Sequence, residues 1–495
     1  MKNKTLLLLL IVNLLTFPAY GEKRDILRVG IHTFPTSLNP VYVTDETSQA
    51  VVNKIFSTLF YFDQKGKVQK GLTAHWQVGK KGTEILLELK KKILFAAGSE
   101  LKAADVVGTI KFLKDSRFKY PYAANLSFIA DVEKIDRYRL RLKLKEPLAV
   151  WRNYLTFPIL NANEIKNVTP GNCKNTAFSG TGLYKIKRIK EPAKIILELN
   201  NPAKNPAVYR FIEYTVVSST RMAPLKLLNN EIDIIELQPE SAAAYRDTSA
   251  WQEKFTLLKY KKFGYTYLIF NLKNTGINKD TRKYFYNILI CSSFLDKFLA
   301  GRGEKVKTPF LLLNPDIEPV KFDIAPLKKS IRLKILTNSE SKLRRDFVLF
   351  LRNELKPYNI LVEPLFLEYH TFLQYLKNSR FDVAVSGFLL EIDYDMKDIF
   401  YHDAYFNYAK FNNPRMDSLL DRGLKELNEE KRREIYKKAH QTWLEELPMI
   451  PLFNLYYYMG VSKKIKIPPQ RYELVGSVGD FLFNIQAWPC GAGNL

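Results

Sequence analysis

Apolar and polar positions alternate at Leu27, Val29 and Ile31, which predicts a strand, and the loop Phe34-Pro35-Thr36-Ser37-Leu38-Asn39-Pro40 follows it. Val51, Ile55 and Leu59 recur every fourth residue with Val52 and Phe56 beside them, the stripe of a helix packed on a core. Ile85, Leu87 and Leu89 alternate again. So do Leu140, Leu142 and Leu144 against Arg139, Arg141, Lys143 and Lys145, so each of these strands has one wet face, and residues 104–113 read as a helix between them. The pair of glycines in Gly180-Thr181-Gly182 predicts a tight reversal ahead of a strand at Leu183-Tyr184-Lys185, and residues 195–199 form the next strand.

From Tyr265 the pattern changes to strands and helices in turn, beginning with a strand over 265–271 and a helical stretch over 281–299. Ile331, Leu333 and Ile335 make a strand, and Leu343, Phe347, Leu351 and Leu355 make a helical stripe. A strand over 360–366, a helix over 372–376 and a strand over 381–388 complete a βαβαβ unit. A long helical region over 416–447, with Ile435, Ala439 and Trp443 on one face, ends at Pro448 and Pro451.

At 495 residues and 46% hydrophobic content the chain can bury two or three domains. Lys2 and Lys4, the aliphatic run 6–15 and Ala19-Tyr20-Gly21 make a secretory signal cut after Gly21, since the run is too short to span a bilayer. The mature protein then begins at Glu22. No Cys near the cut offers a lipid attachment point, so a soluble periplasmic protein is expected. The three cysteines, Cys173, Cys291 and Cys490, lack C-x-x-C spacing. Cys291 sits in an apolar run and is expected to be a buried free thiol, while a Cys173–Cys490 disulfide is left undecided.

The formal charge of +25 falls to +23 when Lys2 and Lys4 leave with the signal (25 minus 2), so it belongs to the folded protein. The basic residues are scattered, which favours a solvated surface over a nucleic-acid footprint. The five histidines, 32, 75, 370, 402 and 440, form no H-E-x-x-H pair, and no G-x-S-x-G, G-x-x-x-x-G-K or G-x-G-x-x-G occurs. No enzyme activity, metal site or cofactor is expected.

Taken in order, several segments resemble the family 5 extracellular solute-binding proteins of ABC importers, which include oligopeptide-, dipeptide- and nickel-binding proteins. They are Leu27-Arg28-Val29-Gly30 leading to Ser37-Leu38-Asn39-Pro40; Gly71-Leu72-Thr73-Ala74-His75-Trp76, similar to "LAxxW"; and residues 95–98 with Leu101-Lys102-Ala103-Ala104-Asp105-Val106-Val107. Further on come Gly180-Thr181-Gly182-Leu183-Tyr184, similar to "GtGPY" with Leu183 in place of Pro; residues 229–234, similar to "GeiDi" with Asn230 in place of Gly; and Phe270-Asn271 with Asp280-Thr281-Arg282. Residues 412–419, 432–436 and 448–452 resemble the family's closing helix and "PxxPL". The span 315–330 is too short for the family's usual helix before the strand at Ile331. Trp76, Asp105 and Tyr184 carry over as fold markers only.

The resemblance implies an α/β fold of two hinged lobes, the periplasmic binding protein (Venus-flytrap) architecture, with a strand-rich domain inserted in the first. Lobe one would comprise 22–62, 177–262 and 454–495, the insertion 63–176 and lobe two 263–453, with crossings near Lys262 and Phe453. It implies a monomer that captures a peptide between the lobes and delivers it to ABC permease subunits. A chelated metal is the alternative ligand within the family. A secreted polyanion binder using the +23 charge is the alternative outside it. By resemblance to "GWxxDY", the loop after strand 381–388 holds a carboxylate for the ligand's α-ammonium. Counting from Gly387 reaches Glu391, and matching Asp-Tyr reaches Asp393, which is preferred. Phe388 stands at the Trp position, and Tyr265, Tyr267 and Phe34 are candidate cleft walls. Equally, Glu391, Asp393, Asp395 and Asp398 read as an exposed acidic turn.

Overall fold

The computed structural model describes residues 25–63, 67–201, 209–274, 276–390 and 393–465. The signal segment, the cut after Gly21, Glu391, Cys490 and the last part of lobe one lie outside the described residues.

The first readable strand, β1 (Ile26–Ile31), leads through the Pro-containing loop to α1 (Glu46–Ile55), which Asp45 caps by accepting the Ser48 N–H. β2 (Phe211–Val216) and β3 (Ile234–Leu237) flank β1, both parallel to it. Between α1 and β2 comes a separate antiparallel sheet, in the order Thr73–Val78, Glu84–Leu89, Arg139–Leu144, Ile129–Lys134. Its alternation works as read: Ile85, Leu87, Leu89, Leu140, Leu142 and Leu144 are buried and join one continuous core with Leu27, Val51 and Ile55. Asp105 bonds the N–H groups of Lys102 (2.7 Å) and Ala162 (2.8 Å), which fits its capping role.

β4 (Phe255–Lys261) runs directly into β5 (Gly264–Phe270). The βαβαβ unit follows as β6 (Ile331–Asn338), α2 (Lys342–Glu354), β7 (Ile360–Leu367), α3 (Tyr369–Lys377) and β8 (Val383–Leu389). Then come α4 (Pro414–Lys425), α5 (Glu429–Glu446) and the fourteen-residue β9 (Met449–Ser462). A second core, containing Phe270, Phe285, Ile335, Phe347, Val385, Trp443 and Phe453, holds this half together. β9 belongs to both halves: residues 449–453 pair with β5, and residues 456–462 pair with β4 and β3. At this crossing Lys262 is nearly sealed from solvent, its Nζ 2.7 Å from Glu46 Oε2 and 4.5 Å from the Tyr457 ring centroid.

Several expectations need correction. α1 stops at Ile55, so Leu59 packs in the core from extended chain. The Gly182 N–H bonds the Ile55 carbonyl at 2.8 Å, and a Cβ on Gly180 would lie 1.9 Å from that oxygen. Those glycines permit a close approach, and neither has a positive φ. The stretch 281–299 is two helices, Lys279–Leu289 and Phe294–Leu299. Ser292 Oγ donates to the Ile288 carbonyl at 2.6 Å and accepts the Phe294 N–H at 3.1 Å, giving the backbone an alternative to helix. The region 416–447 divides likewise, because Asn428 caps α5 by accepting the Lys431 N–H at 3.0 Å. Pro448 and Pro451 end the helix but not regular structure, since Pro451 sits in β9 at a register shift opposite Tyr267. Cys291 is half-buried, not buried, with its sulfur 3.6 Å from the Val320 carbonyl.

Candidate functional site

In an open α/β sheet, a crevice forms outside the carboxyl ends of the strands where the order of connection reverses. β6 is flanked by β7 and β8, both parallel to it. The crossover through α2 leaves β6 toward β7, and the one through α3 returns past β6 to β8, so the reversal lies between β6 and β8. The carboxyl ends there are Asn338 and Leu389, and the candidate site is built around them.

On one wall, β5 runs antiparallel to β8 and places Tyr265 opposite Phe388 and Tyr267 opposite Ser386. Three of the expected wall residues therefore come together. The Phe388 ring lies 5.0 Å from Tyr265 and 4.6 Å from Tyr267, and the two tyrosines are 6.3 Å apart, nearly perpendicular. Phe388 is half-buried, whereas Tyr265 and Tyr267 are only 4% and 5% exposed and form the backing of the wall. The Tyr265 hydroxyl donates to the Pro309 carbonyl at 3.2 Å. Burial pushes the Tyr267 phenol up to about 12. Phe34 packs on the other core, beyond the carboxyl end of β1, and shares no ring contact with these three among the described residues. Near it His32 stitches the lobe-one edge, its ring nitrogens 2.8 Å from the Glu236 carbonyl and 3.3 Å from that of Val217.

The acidic loop is folded onto the helices. Asp393 Oδ2 accepts from Arg432 Nη1 at 2.8 Å and Oδ1 accepts from Nη2, with the two side chains 13% and 8% exposed. Arg432 Nε donates to the Gly423 carbonyl at 2.8 Å, and Tyr394 stacks on Tyr436 with centroids 5.5 Å apart. Burial opposes the Arg432 charge, but the hydrogen bonds and charge of Asp393 outweigh it and raise its pKa. Burial, and after it the charge of Asp393, pushes neighbouring Asp395 up to about 7. Asp393 is thus neither an exposed acidic residue nor an unoccupied one.

A residue that sequence reasoning passed over lies beside the carboxyl end of β6, between Asn338 and Gly387. Arg344, in the first turn of α2, donates through Nε and Nη2 to Asn338 Oδ1 at 3.0 and 2.8 Å. Its Nη1 lies over the bare backbone of β8, where a Cβ on Gly387 would be 3.2 Å away. Asn338 passes its own amide hydrogen to Glu340 at 2.9 Å. No carboxylate lies within 4.0 Å of the Arg344 guanidinium among the described residues, and burial lowers its pKa. The sequence did carry a signal: a cation in the first turn of a helix opposes the macrodipole.

The model of the bacterial extracellular solute-binding proteins, family 5 (middle region), matches residues 67–410. The oligopeptide-binding protein AppA of Bacillus subtilis is 25% identical over 93% of this chain and 90% of its own. Its structure in complex with a nonapeptide superposes with a TM-score of 0.73 at 22% identity, covering 95% of this chain and 100% of that one. The periplasmic murein peptide-binding protein MppA of Escherichia coli is 22% identical over 88% of each chain. NikZ from Campylobacter jejuni in complex with Ni(L-His) superposes with a TM-score of 0.76 at 19% identity, covering 94% of this chain and 99% of that one. These neighbours are two-lobe binding proteins, and the fold here is theirs.

Proposed function

The chain belongs to the bacterial extracellular solute-binding proteins, family 5, and from that membership we propose that it captures peptides between its lobes for import by an ABC permease. The observation that carries the peptide reading is the end-to-end likeness to an oligopeptide-binding protein, 93% of one chain on 90% of the other. In this reading the protein binds and releases its ligand unchanged and works as a monomer in the periplasm after losing residues 1–21.

We assign lobe one to 22–62, 177–262 and 454–495, the insertion to 63–176 and lobe two to 263–453. The two cores and the double membership of β9 support the division between the lobes, while the insertion shares the core of lobe one. Phe388, backed by Tyr265 and Tyr267, forms the lobe-two wall, and Phe34 faces it from lobe one. Asp393 already holds Arg432 with both oxygens, so we assign the ligand's α-ammonium to the other candidate, Glu391.

Native mass spectrometry of protein purified from its own periplasm tests the reading, because the retained mass names the ligand class. A peptide is expected, and a nickel chelate in its place would overturn it. Calorimetry on Glu391→Gln should show binding weakened by about 3 kcal/mol for a peptide with a free amino terminus, since a buried ammonium needs a partner. The amino-acetylated peptide should bind the parent and the variant equally.

A further inference from the structure

The large sheet ends in lobe one with the hairpin Tyr184–Lys190 and Lys194–Leu199, and Tyr184–Lys190 is its edge strand, paired on one side only. Residues 186–193 are all exposed. The strand carries Lys185, Lys187, Arg188 and Lys190 and no acid. Cross-strand pairing fixes its faces: Ile186 lies opposite Leu197 and Ile189 opposite Ile195, with Lys187 as the extra residue of a register shift between them. Leu197 and Ile195 are fully buried, yet Ile186 and Ile189 are each 40% exposed, so the core stops short and both overhang its rim. Lys185 and Arg188 lie opposite Glu198 and Ile196, on the other face. There Lys187 Nζ stands 4.1 Å from the Phe211 ring centroid and 3.8 Å from Glu198, and Arg210 flanks the same ring at 5.3 Å. Among the described residues Lys185, Arg188 and Lys190 have no carboxylate within 4.0 Å.

Lysines alone would blunt an edge strand against pairing with another chain. Exposed isoleucines beside them work against that role. Cations flanking apolar side chains are instead what an anionic bilayer binds, its headgroups taking the charges and the boundary below them the apolar groups. The outward N–H groups of an edge strand add donors for phosphate oxygens. We propose that the strand Tyr184–Lys190 docks edge-on to an anionic lipid surface through Lys185, Lys187, Arg188 and Lys190, with Ile186 and Ile189 entering the headgroup boundary. This gives the excess of basic residues a partner that ligand capture does not, and it is independent of what the crevice holds. A protein held in this way searches for its proposed permease along the membrane surface.

Co-sedimentation of the whole protein with lipid vesicles tests it. At low ionic strength the parent should partition onto phosphatidylcholine vesicles containing phosphatidylglycerol about tenfold or more better than onto phosphatidylcholine alone, and high salt should remove the difference. The combined variant Lys185→Glu, Lys187→Glu, Arg188→Glu and Lys190→Glu should lose that preference. Neutralising Gln replacements at the same four positions should fall between it and the parent. A control with the same change of net charge in the insertion, Lys80→Glu, Lys81→Glu, Lys90→Glu and Lys91→Glu, should keep most of the preference. Circular dichroism melts check that the variants are folded. The inference is overturned if the parent ignores phosphatidylglycerol or if the edge-strand variants bind like the parent. It is equally overturned if the control loses binding as fully as the edge-strand variant, since the attraction then belongs to net charge and not to this strand.

Discussion

Arg432 and Arg344 are both largely withdrawn from water in the same lobe, yet their surroundings are opposite. Around Arg432, Asp393 supplies both oxygens to the guanidinium, while burial and then the Asp393 charge push neighbouring Asp395 up to about 7. Around Arg344 one amide oxygen takes both hydrogen bonds, and the Glu340 carboxylate acts on it only from beyond Asn338. Burial lowers the Arg344 pKa, while Asp393 reverses that effect at Arg432. A pair completed within the chain is structural, and among the described residues Arg344 has no carboxylate that close.

The contrast breaks most sharply at Arg432. Arg432→Ala leaves Asp393 buried without its partner and should lower unfolding free energy by about 3–5 kcal/mol, read from urea denaturation. Arg344→Gln in the ligand-free protein should cost about 1 kcal/mol or less, because only hydrogen bonds to a neutral oxygen are lost. Equal losses at the two sites would erase the distinction. Next in size is Gly423→Ala, whose Cβ would lie 2.6 Å from Tyr436 Cζ and should cost about 1–3 kcal/mol by overpacking.

The pH dependence tests the crowding around Arg432. Asp395 titrates at about 7 when folded and near 3.8 when unfolded, so the folded state binds the extra proton in between. Its contribution to stability is therefore full below about 4 and is lost as pH rises through about 7. The denaturation midpoint should fall more between pH 5 and pH 8 in the parent than in Asp395→Asn; an identical fall would remove Asp395 from the account. The smallest effect is expected at Gly387→Ala, where the new methyl meets the movable end of Arg344 at 3.2 Å and the Tyr265 carbonyl oxygen at an ordinary 3.4 Å. Stability should change by less than about 1 kcal/mol in the same denaturation.

Local pattern made much of this fold legible. The βαβαβ unit follows from stripes at Leu333, Phe347 and Leu351, and the wall from two tyrosines two residues apart on one strand. Distance along the chain hid the rest. Arg432 lies 39 residues from Asp393, so nothing near the acidic loop discloses its partner. The breaks at Ser292 and Asn428 depend on which backbone groups their side chains meet, which hydrophobic periodicity does not report. β9 escaped notice because its prolines read as an ending, although a register shift accommodates Pro451 inside it.

That strand has a mechanical consequence. β4 and β5 run along β9 with a single crossing at Lys262 and Phe263, where the Asn454 amide donates to the Lys262 carbonyl at 2.7 Å. Among the described residues the chain passes between the halves only here, on two adjacent threads bonded to each other. Two threads side by side resemble a hinge pin, which resists sliding more than turning, so under the proposed function the closing of the lobes would follow one arc. A second link lies elsewhere, where the Ala149 N–H meets the Leu424 carbonyl at 2.7 Å, tying the chain ahead of β2 to α4.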